Sequence, residues 1–181
     1  MLRRLVFTLF AVSNLLLLDQ VVKELSVARL ADAAPCVVID GFFRLRHVVN
    51  KGCAWGMLQG HVWPLALFAV AALAVIVWQR RKIFPPGRLG TFIEYVLYAG
   101  IVGNLVDRVL REGVIDMFEF HWGEAWSFPV FNVADVYISV AAGLLVILGI
   151  LESRRAKREG GGAKPSKPAP KAAGPRGGAS A

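Results

Sequence analysis

Four long apolar runs constrain the fold of this 181-residue chain more than any other feature. They cover roughly residues 5–22, 62–79, 91–109 and 133–151. An α-helix rises about 1.5 Å per residue, so each run can cross a hydrocarbon core of about 30 Å with some help from its flanks. A single soluble core has no need for four such runs. The sequence therefore predicts a membrane all-α fold with four transmembrane helices, formed by one domain over residues 1–159.

The positive charges indicate how these helices thread the membrane. They form three groups, which lie before the first run, between the second and third, and after the fourth: Arg3 and Arg4; Arg80, Arg81, Lys82 and Arg88; Arg154, Arg155, Lys157 and Arg158. Cationic short loops mark the cytoplasmic side. Both termini are therefore expected in the cytoplasm, with segments 24–61 and 110–132 outside. Topology and anionic membrane lipids account for the net charge of +8, so we expect no nucleic-acid partner.

The two outward segments differ in texture. Residues 36–59 are rich in β-branched and aromatic residues, and 44–46 alternate with period two, which predicts a small antiparallel β-element between helices 1 and 2. The glycine-rich stretch 50–56 would close it. Residues 118–129 carry two tryptophans and have no clear period. The irregular period leaves open whether this second region forms an amphipathic segment on the lipid headgroups.

The two ends of the chain need separate readings. Residues 160–181 are rich in Gly, Lys, Pro and Ala and have no large apolar residue, so a disordered, basic cytoplasmic tail is predicted there. At the other end, a basic start and an apolar stretch imitate a secretory signal peptide. Because Asp19, Lys23 and Glu24 interrupt that pattern, we interpret residues 5–22 as a retained span.

Cysteine and histidine give no sign of a metal site. His47, His61 and His121 are isolated and lack metal-ligand spacing, and no cofactor motif occurs, so neither a metal nor a cofactor is predicted. Cys36 and Cys53 both fall in the outward segment, where disulfides persist. The sequence leaves open whether they pair or act as small apolar fillers.

Polar residues collect at the predicted outer ends of the spans instead of scattering through the membrane depth. An ionised side chain in the bilayer costs about 2.5–3.5 kcal/mol by insertion scales, so such residues are functional candidates. These residues are Asp19 and Lys23 in the first span, Asn104, Asp107 and Arg108 in the third, Asn132 and Asp135 at the start of the fourth, and Asn50 and Asp116 in the outward segments.

The aspartates fall into two classes. Asp19 and Lys23 are spaced i, i+4, and the sequence does not decide between a structural ion pair and a functional one. For Asp107 and Arg108, a structural aspartate and a functional arginine are favoured. Asp116 and Asp135 have no cation close in sequence. Two such carboxylates in a low-dielectric site would share one proton and form an acid/base pair of the aspartic-protease type.

A helix cap is the competing interpretation of one member of this pair, because Asp135 lies where the fourth helix would begin.

Five polar segments follow one another along the chain: Asp19-Gln20-Val21-Val22-Lys23, Asn50-Lys51-Gly52-Cys53-Ala54-Trp55-Gly56, Gly103-Asn104-Leu105-Val106-Asp107-Arg108, Gly113-Val114-Ile115-Asp116 and Phe131-Asn132-Val133-Ala134-Asp135. Together they resemble the lipoprotein signal peptidases, the type II signal peptidases of bacteria, over residues 5–155.

The resemblance implies an aspartyl endopeptidase that cuts diacylglyceryl-modified prolipoproteins before the lipidated cysteine. It implies Asp116 and Asp135 as the catalytic residues and Asn50 and Arg108 as binders of the substrate backbone. The supporting residues that it implies are Asp19, Lys23, Gly52, Asn104, Asp107, Asn132 and Ala134. The expected enzyme is a monomer of the bacterial cytoplasmic (inner) membrane, in contact with membrane lipids, with its site at the outer leaflet. Cys53, Trp55 and Ala99 depart from the family's pattern.

Two other classes of function compete with this one. A small proton- or ion-relay transporter would place polar residues through the full membrane depth, yet the inner halves of the spans are almost wholly apolar, with Glu94 the main exception. A structural subunit would not need two unpaired outer aspartates. The sequence does not say which lipoproteins are cut or which aspartate holds the shared proton.

Overall fold

The computed structural model describes residues 2–53, 57–123 and 125–160, and it contains four helices in these ranges. These are α1 (Leu2–Leu30), α2 (Val62–Ile83), α3 (Arg88–Arg111) and α4 (Val133–Gly160). Each is long and apolar enough to cross a membrane, which confirms the four predicted spans. The helices extend past the apolar runs because their charged ends stay helical. The tail beyond Gly160, its predicted disorder and Trp55 lie outside the described residues, and the boundary at residue 159 stays a prediction.

Helix α3 is the central element. Of its most apolar stretch, 56% is buried inside the protein, against 6–11% for the corresponding stretches of the other three helices. Two glycines allow neighbouring chain segments to approach it closely. A Cβ atom on Gly100 would lie 2.6 Å from the backbone oxygen of Ala134, and one on Gly103 would lie 2.6 Å from a carboxylate oxygen of Asp19. The start of α4 and the second half of α1 therefore pack directly on α3.

A four-stranded antiparallel sheet forms between the helices, in the order β1 (Cys36–Ile39), β2 (Phe43–Asn50), β3 (Val114–Trp122) and β4 (Trp126–Ser127). Strands β1 and β2 are the predicted β-element between helices 1 and 2. Much of the region 118–129, whose structure the sequence left open, belongs to β3 and β4. Residues 114–117 at the start of β3 are all buried, so this half of the strand shows none of the alternation that marks a half-exposed strand, whereas residues 118–122 do alternate.

The sheet places one outward segment beside the start of α4. Val48 of β2 pairs with Asp116 of β3. On its other side, β3 is bridged by the residues that precede α4: the Phe118 N–H donates to the Phe131 carbonyl over 2.9 Å, and the Phe131 N–H returns a bond of 3.0 Å. Because Phe131 lies four residues before Asp135, this bridge brings two segments that are distant in sequence to one place.

Candidate active site

Asp116 and Asp135 line the same cavity, which has a volume of about 1750 Å³. Asp116 belongs to β3 and is 2% exposed, whereas Asp135 lies in the first turn of α4 and is half-buried. Three more of the predicted site residues, Asn50, Asn104 and Arg108, line this cavity too. The fold thus brings together five polar residues from two strands and two helices.

Neutral amides hold the Asp116 carboxylate. The Asn132 Nδ2 group donates to Oδ1 over 2.6 Å, and the Asn50 Nδ2 group donates to Oδ2 over 3.1 Å. The orientation of the Asn50 amide is itself fixed, because its Oδ1 atom accepts the Gly52 N–H over 2.9 Å. A Cβ atom on Gly52 would lie 2.4 Å from the Met57 carbonyl oxygen, so this loop needs a glycine. Both oxygens of Asp116 are therefore positioned by donors that carry no charge.

Asp135 takes part in the hydrogen bonds that begin α4, and it also lines the cavity. Its Oδ2 atom accepts the backbone N–H of Asn132 over 3.2 Å, while Asn132 Oδ1 accepts the backbone N–H of Asp135 over 2.9 Å. This reciprocal pair is a capping box at the start of α4, with Asn132 as the cap. The second oxygen, Oδ1, accepts the Asn104 Nδ2 group over 2.7 Å. Capping therefore fixes one edge of this carboxylate in the wall of the cavity.

Ionisation of Asp116 is unfavourable in this environment. Among the residues that the structure describes, neither Asp116 nor Asp135 forms an ion pair. Burial raises the pKa of Asp116 to about 7, and the nearby charge of Asp135 acts in the same direction. The hydrogen bonds from the side-chain amides of Asn50 and Asn132 oppose this shift. A carboxyl group with this pKa can hold or release a proton near neutral pH.

The neighbouring buried aspartates have a different environment. The Lys23 Nζ group lies 2.9 Å from Asp19 Oδ2 and 2.8 Å from Asp107 Oδ2, and all three side chains are fully buried. Lys23 also donates to Asn104 Oδ1 over 3.2 Å. We call Asp19, Lys23 and Asp107 the Lys23 cluster. Asp19 and Lys23 therefore form an ion pair, and Lys23 has Asp107 as a second carboxylate partner.

The Lys23 cluster holds the backbone on both sides of the site. Asp19 Oδ1 accepts the N–H of Ala134 over 2.8 Å, and Asp107 Oδ2 accepts the N–H of Ile115 over 3.2 Å. Ala134 directly precedes Asp135, and Ile115 directly precedes Asp116. Each aspartate of the cluster therefore anchors the residue next to one aspartate of the cavity, which gives the cluster a positioning role.

Arg108 does not pair with its neighbour Asp107. It donates to the carbonyl oxygens of Asn104 and Gly52, over 3.2 Å in each case, and lines the cavity. Asp107 pairs instead with Lys23 and with Arg111. The guanidinium of Arg108 thus braces the loop after β2 and keeps further donors for a ligand in the cavity.

Sequence reasoning missed several partners of the Lys23 cluster. Arg111 pairs with Asp107 and with Glu24, and it donates to the side chain of Gln20 over 3.0 Å. Gln20 in turn donates to Asp19 and Asp107 over 3.1 and 3.2 Å. One signal was available: Arg111 follows Asp107 by four residues, so both lie on one face of α3.

The two cysteines do not pair. Cys36, in β1, is exposed, and Cys53, in the loop after β2, is half-buried; both are free thiols. The Cys53 thiol donates to the Met57 carbonyl oxygen over 3.4 Å and lines the cavity beside Arg108. The sequence left open whether these two cysteines pair, and the structure contains no disulfide between them.

This chain is similar in sequence and in fold to known proteins. The lipoprotein signal peptidase of Listeria monocytogenes serotype 4b is 33% identical over 140 residues, which cover 77% of this chain and 90% of that protein. The lipoprotein signal peptidase of Bacillus pumilus is 36% identical over 142 residues, with 77% and 90% covered. A solved structure described as a bacterial membrane enzyme, determined in meso, is 26% identical and superposes with a TM-score of 0.66 over 83% of this chain and 91% of that one.

The family model described as signal peptidase (SPase) II matches residues 11–151. This range contains both aspartates of the cavity and every member of the Lys23 cluster. It also contains the four-stranded sheet and most of each helix. The chain therefore belongs to the signal peptidase II family of membrane proteases.

Proposed function

We propose that Asp116 and Asp135 are the catalytic dyad with which this protease removes signal peptides from prolipoproteins. One observation carries the assignment: these two carboxylates share a cavity and have only amide donors, whereas the other buried carboxylates of the described chain have cationic partners. Those other carboxylates are Asp19, Glu94, Asp107 and Glu119. Two neighbouring carboxylates without a cationic partner destabilise the folded protein, and a catalytic role explains why the fold keeps them.

The dyad supports a general acid/base mechanism. Because the pKa of Asp116 is raised to about 7, about half of the enzyme molecules hold a proton on this carboxyl group at neutral pH. The ionised carboxylate removes a proton from a water molecule, whose oxygen attacks the scissile carbonyl carbon. The protonated carboxyl group gives its proton to the carbonyl oxygen, which yields a gem-diol. The gem-diol then collapses: the carboxyl group that took the proton from water gives it to the leaving nitrogen, the other carboxylate takes the proton of one gem-diol hydroxyl, and the C–N bond breaks to give the new carboxyl end and the new amine.

Asn50 and Arg108 are placed to hold the peptide. Both line the cavity next to the dyad, and both are themselves fixed, Asn50 by Gly52 and Arg108 by two carbonyl oxygens. An amide and a guanidinium can donate to the carbonyl oxygens of an extended substrate. Holding the scissile bond against two prepositioned carboxylates supplies much of the rate advantage of such an enzyme.

The rest of the cavity suits a lipid-modified substrate. Its walls below the dyad are apolar side chains of α2 and α4, such as Phe68, Ile76 and Val140. On α2 the lining runs from Pro64 to Ile76, which is about 18 Å along the helix and therefore a little more than half of a hydrocarbon core. This depth matches the acyl chains of one leaflet. We therefore assign the diacylglyceryl group of the lipidated cysteine to this part of the cavity.

The charge distribution supports an outward-facing dyad in the cytoplasmic membrane. The site lies at the ends of α1 and α3 that are remote from Arg4 and Arg88, and cationic segments stay on the cytoplasmic side. A single chain supplies the dyad, the Asn50–Arg108 pair and the Lys23 cluster. The enzyme is therefore proposed to act as a monomer with both termini in the cytoplasm.

Cleavage of a purified, diacylglyceryl-modified prolipoprotein by the reconstituted enzyme tests the dyad. Asp116→Asn and Asp135→Asn keep the side-chain shape and remove the proton exchange, so each should lower the rate by at least about 10³-fold. Asp40→Asn, which removes an exposed carboxylate from the β1–β2 turn, is the matched control and should cleave normally. A folded Asp116→Asn or Asp135→Asn enzyme with near-normal cleavage would show that the dyad is misassigned.

A further inference from the structure

A second cavity, of about 400 Å³, lies at the opposite end of the helices from the dyad. The start of α1, the end of α2 and the turn into α3 enclose it, and its charged lining residues are Arg4, Arg80, Arg81 and Glu94. Three arginines and one glutamate thus line the cavity. The proposed protease mechanism uses none of these residues.

Glu94 forms ion pairs with two of the arginines, Arg4 and Arg80. This carboxylate is 2% exposed; its Oε2 atom lies 3.0 Å from the Arg4 NH2 group, and its Oε1 atom lies 3.5 Å from Arg80 Nε. The Tyr98 hydroxyl donates to Oε1 over 3.3 Å from inside the protein. Arg80 approaches Glu94 through its Nε atom. Within the described residues, no hydrogen bond engages the two terminal amino groups of Arg80. Arg81 is exposed and forms no ion pair within the same residues.

The cavity is preformed by a rigid turn. A Cβ atom on Gly90 would lie 1.7 Å from the Pro85 carbonyl oxygen, so the turn with Pro85 and Pro86 lies directly on the first turn of α3. Gly87 has φ of 99°, a conformation that residues with a side chain rarely adopt. Two prolines and two constrained glycines keep the walls in place, so ordering these walls adds little to the free-energy cost of binding a ligand.

We propose that this cavity binds the phosphate group of an anionic phospholipid of the membrane. Three arginines against one glutamate give the cavity a net positive charge, and the fork of a guanidinium matches phosphate oxygens in a bidentate way. The cavity opens where helix ends meet the headgroup region, and basic pockets between transmembrane helices on that side bind such headgroups. The lipid would tie the start of α1 to the end of α2. This proposal does not depend on the dyad.

Lipid titration of the purified full-length protein in a neutral detergent, read by native mass spectrometry, tests the site. Wild type should bind phosphatidylglycerol saturably and more tightly than phosphatidylcholine. Arg81→Gln should weaken phosphatidylglycerol binding roughly five- to tenfold. Lys82→Gln removes the same charge from the next residue, which does not line the cavity, and should leave binding within about twofold of wild type.

A second matched pair covers α1: Arg4→Gln should weaken binding and Arg3→Gln, outside the cavity, should not. Equal weakening by Arg81→Gln and Lys82→Gln, or by neither, would overturn the proposal, because it would show only diffuse attraction to a basic surface. Displacement of the lipid by millimolar inorganic phosphate alone would overturn the lipid assignment in favour of a free anion. Unchanged helical circular dichroism confirms that each variant is folded.

Discussion

Asp116 and Glu119 lie three residues apart on β3, and each is 2% exposed, yet their acidities differ widely. Burial raises the pKa of Asp116 to about 7. Burial acts in the same direction on Glu119, but hydrogen bonds from Arg44 and Ser127 and the charges of Arg46 and Arg44 outweigh it and lower the pKa to about 2. The Arg44 Nε group lies 2.7 Å from the Glu119 carboxylate.

The difference shows that partners, not burial, decide what a buried carboxylate does in this protein. Amide donors leave Asp116 able to exchange a proton near neutral pH, whereas guanidinium partners keep Glu119 ionised and fasten the sheet. The Lys23 cluster extends the same rule into the helices, since its two aspartates share an ammonium group. Each of the following substitutions changes a carboxylate from one class toward the other or tests how much the pairing contributes.

Removal of the shared cation should have the largest effect. Lys23→Met leaves Asp19 and Asp107 buried with no ammonium group between them, and breaking a buried pair costs about 3–5 kcal/mol. Because these aspartates anchor Ala134 and Ile115, the dyad should also shift, with a loss of cleavage of about 10²-fold. Thermal unfolding in detergent and the prolipoprotein cleavage assay measure the two effects.

Lys51→Met is the control for this substitution, because Lys51 is exposed in the loop after β2. It should change neither the unfolding temperature nor the cleavage rate appreciably. A Lys23→Met enzyme that is less stable but cleaves normally per folded molecule would contradict the positioning role. The cluster would then be a purely structural ion pair.

Asp116→Asn should stabilise the protein at neutral and alkaline pH although it is expected to abolish cleavage. The pKa of Asp116 is about 7 in the folded protein against an ordinary value of 3.8, so the folded state holds this proton more tightly than the unfolded state does. The destabilising cost of ionisation is therefore absent below about pH 4, grows as the pH rises to about 7, and is constant above that. Asparagine avoids this cost, and a gain of about 1–3 kcal/mol above pH 7 is expected.

Thermal unfolding of wild type and Asp116→Asn across pH 4–8 measures this gain. The two proteins should differ little at the acidic end and diverge as the pH rises. Asp40→Asn, at an exposed position, should show no such divergence. A penalty for Asp116→Asn that is the same at both ends of the range would mean that the ionised carboxylate is not strained by its surroundings.

Glu119→Gln should have the opposite sign. The pKa of Glu119 is lowered to about 2 from 4.5, so its ion pairs stabilise the fold above pH 4.5 and lose that contribution as the pH falls toward 2. At pH 7 the substitution should cost about 1–2 kcal/mol, since Arg44 and Arg46 are partly exposed and solvent screens their charges. Cleavage should persist. Glu112→Gln, at an exposed residue, is the control; an inactive but folded Glu119→Gln enzyme would place Glu119 in the chemistry.

The sequence predicted those features that depend on local pattern. Runs of about 20 apolar residues identified the spans, and period-two texture identified β1 and β2. Strand β3 was missed, because its first four residues are buried and carry no alternation. The family resemblance supplied the candidate residues around Asp116 and Asp135, and the structure places them around one cavity. Their catalytic roles remain proposals.

The pairing of charges was harder to predict from sequence. Asp107 and Arg108 are adjacent, but residues i and i+1 of a helix do not face each other, so adjacency does not identify the partner of Asp107. The observed partner Lys23 is on another helix, and no local rule relates it to Asp107. Packing of α1 on α3 at Gly103 creates this contact, which explains why the Lys23 cluster emerged only from the fold.

Arg111→Gln should have the smallest effect and thereby show which cation matters for Asp107. Arg111 pairs with Asp107 and Glu24 but is 22% exposed, whereas Lys23 is fully buried. Loss of a partly exposed pair costs about 0.5–1 kcal/mol, and Lys23 still neutralises the carboxylate, so cleavage should stay close to that of wild type. Arg88→Gln, an exposed arginine at the other end of α3, is the control. If Arg111→Gln proved as damaging as Lys23→Met, then access to solvent would not weaken an ion pair in this cluster, and the distinction between buried and exposed partners would fail.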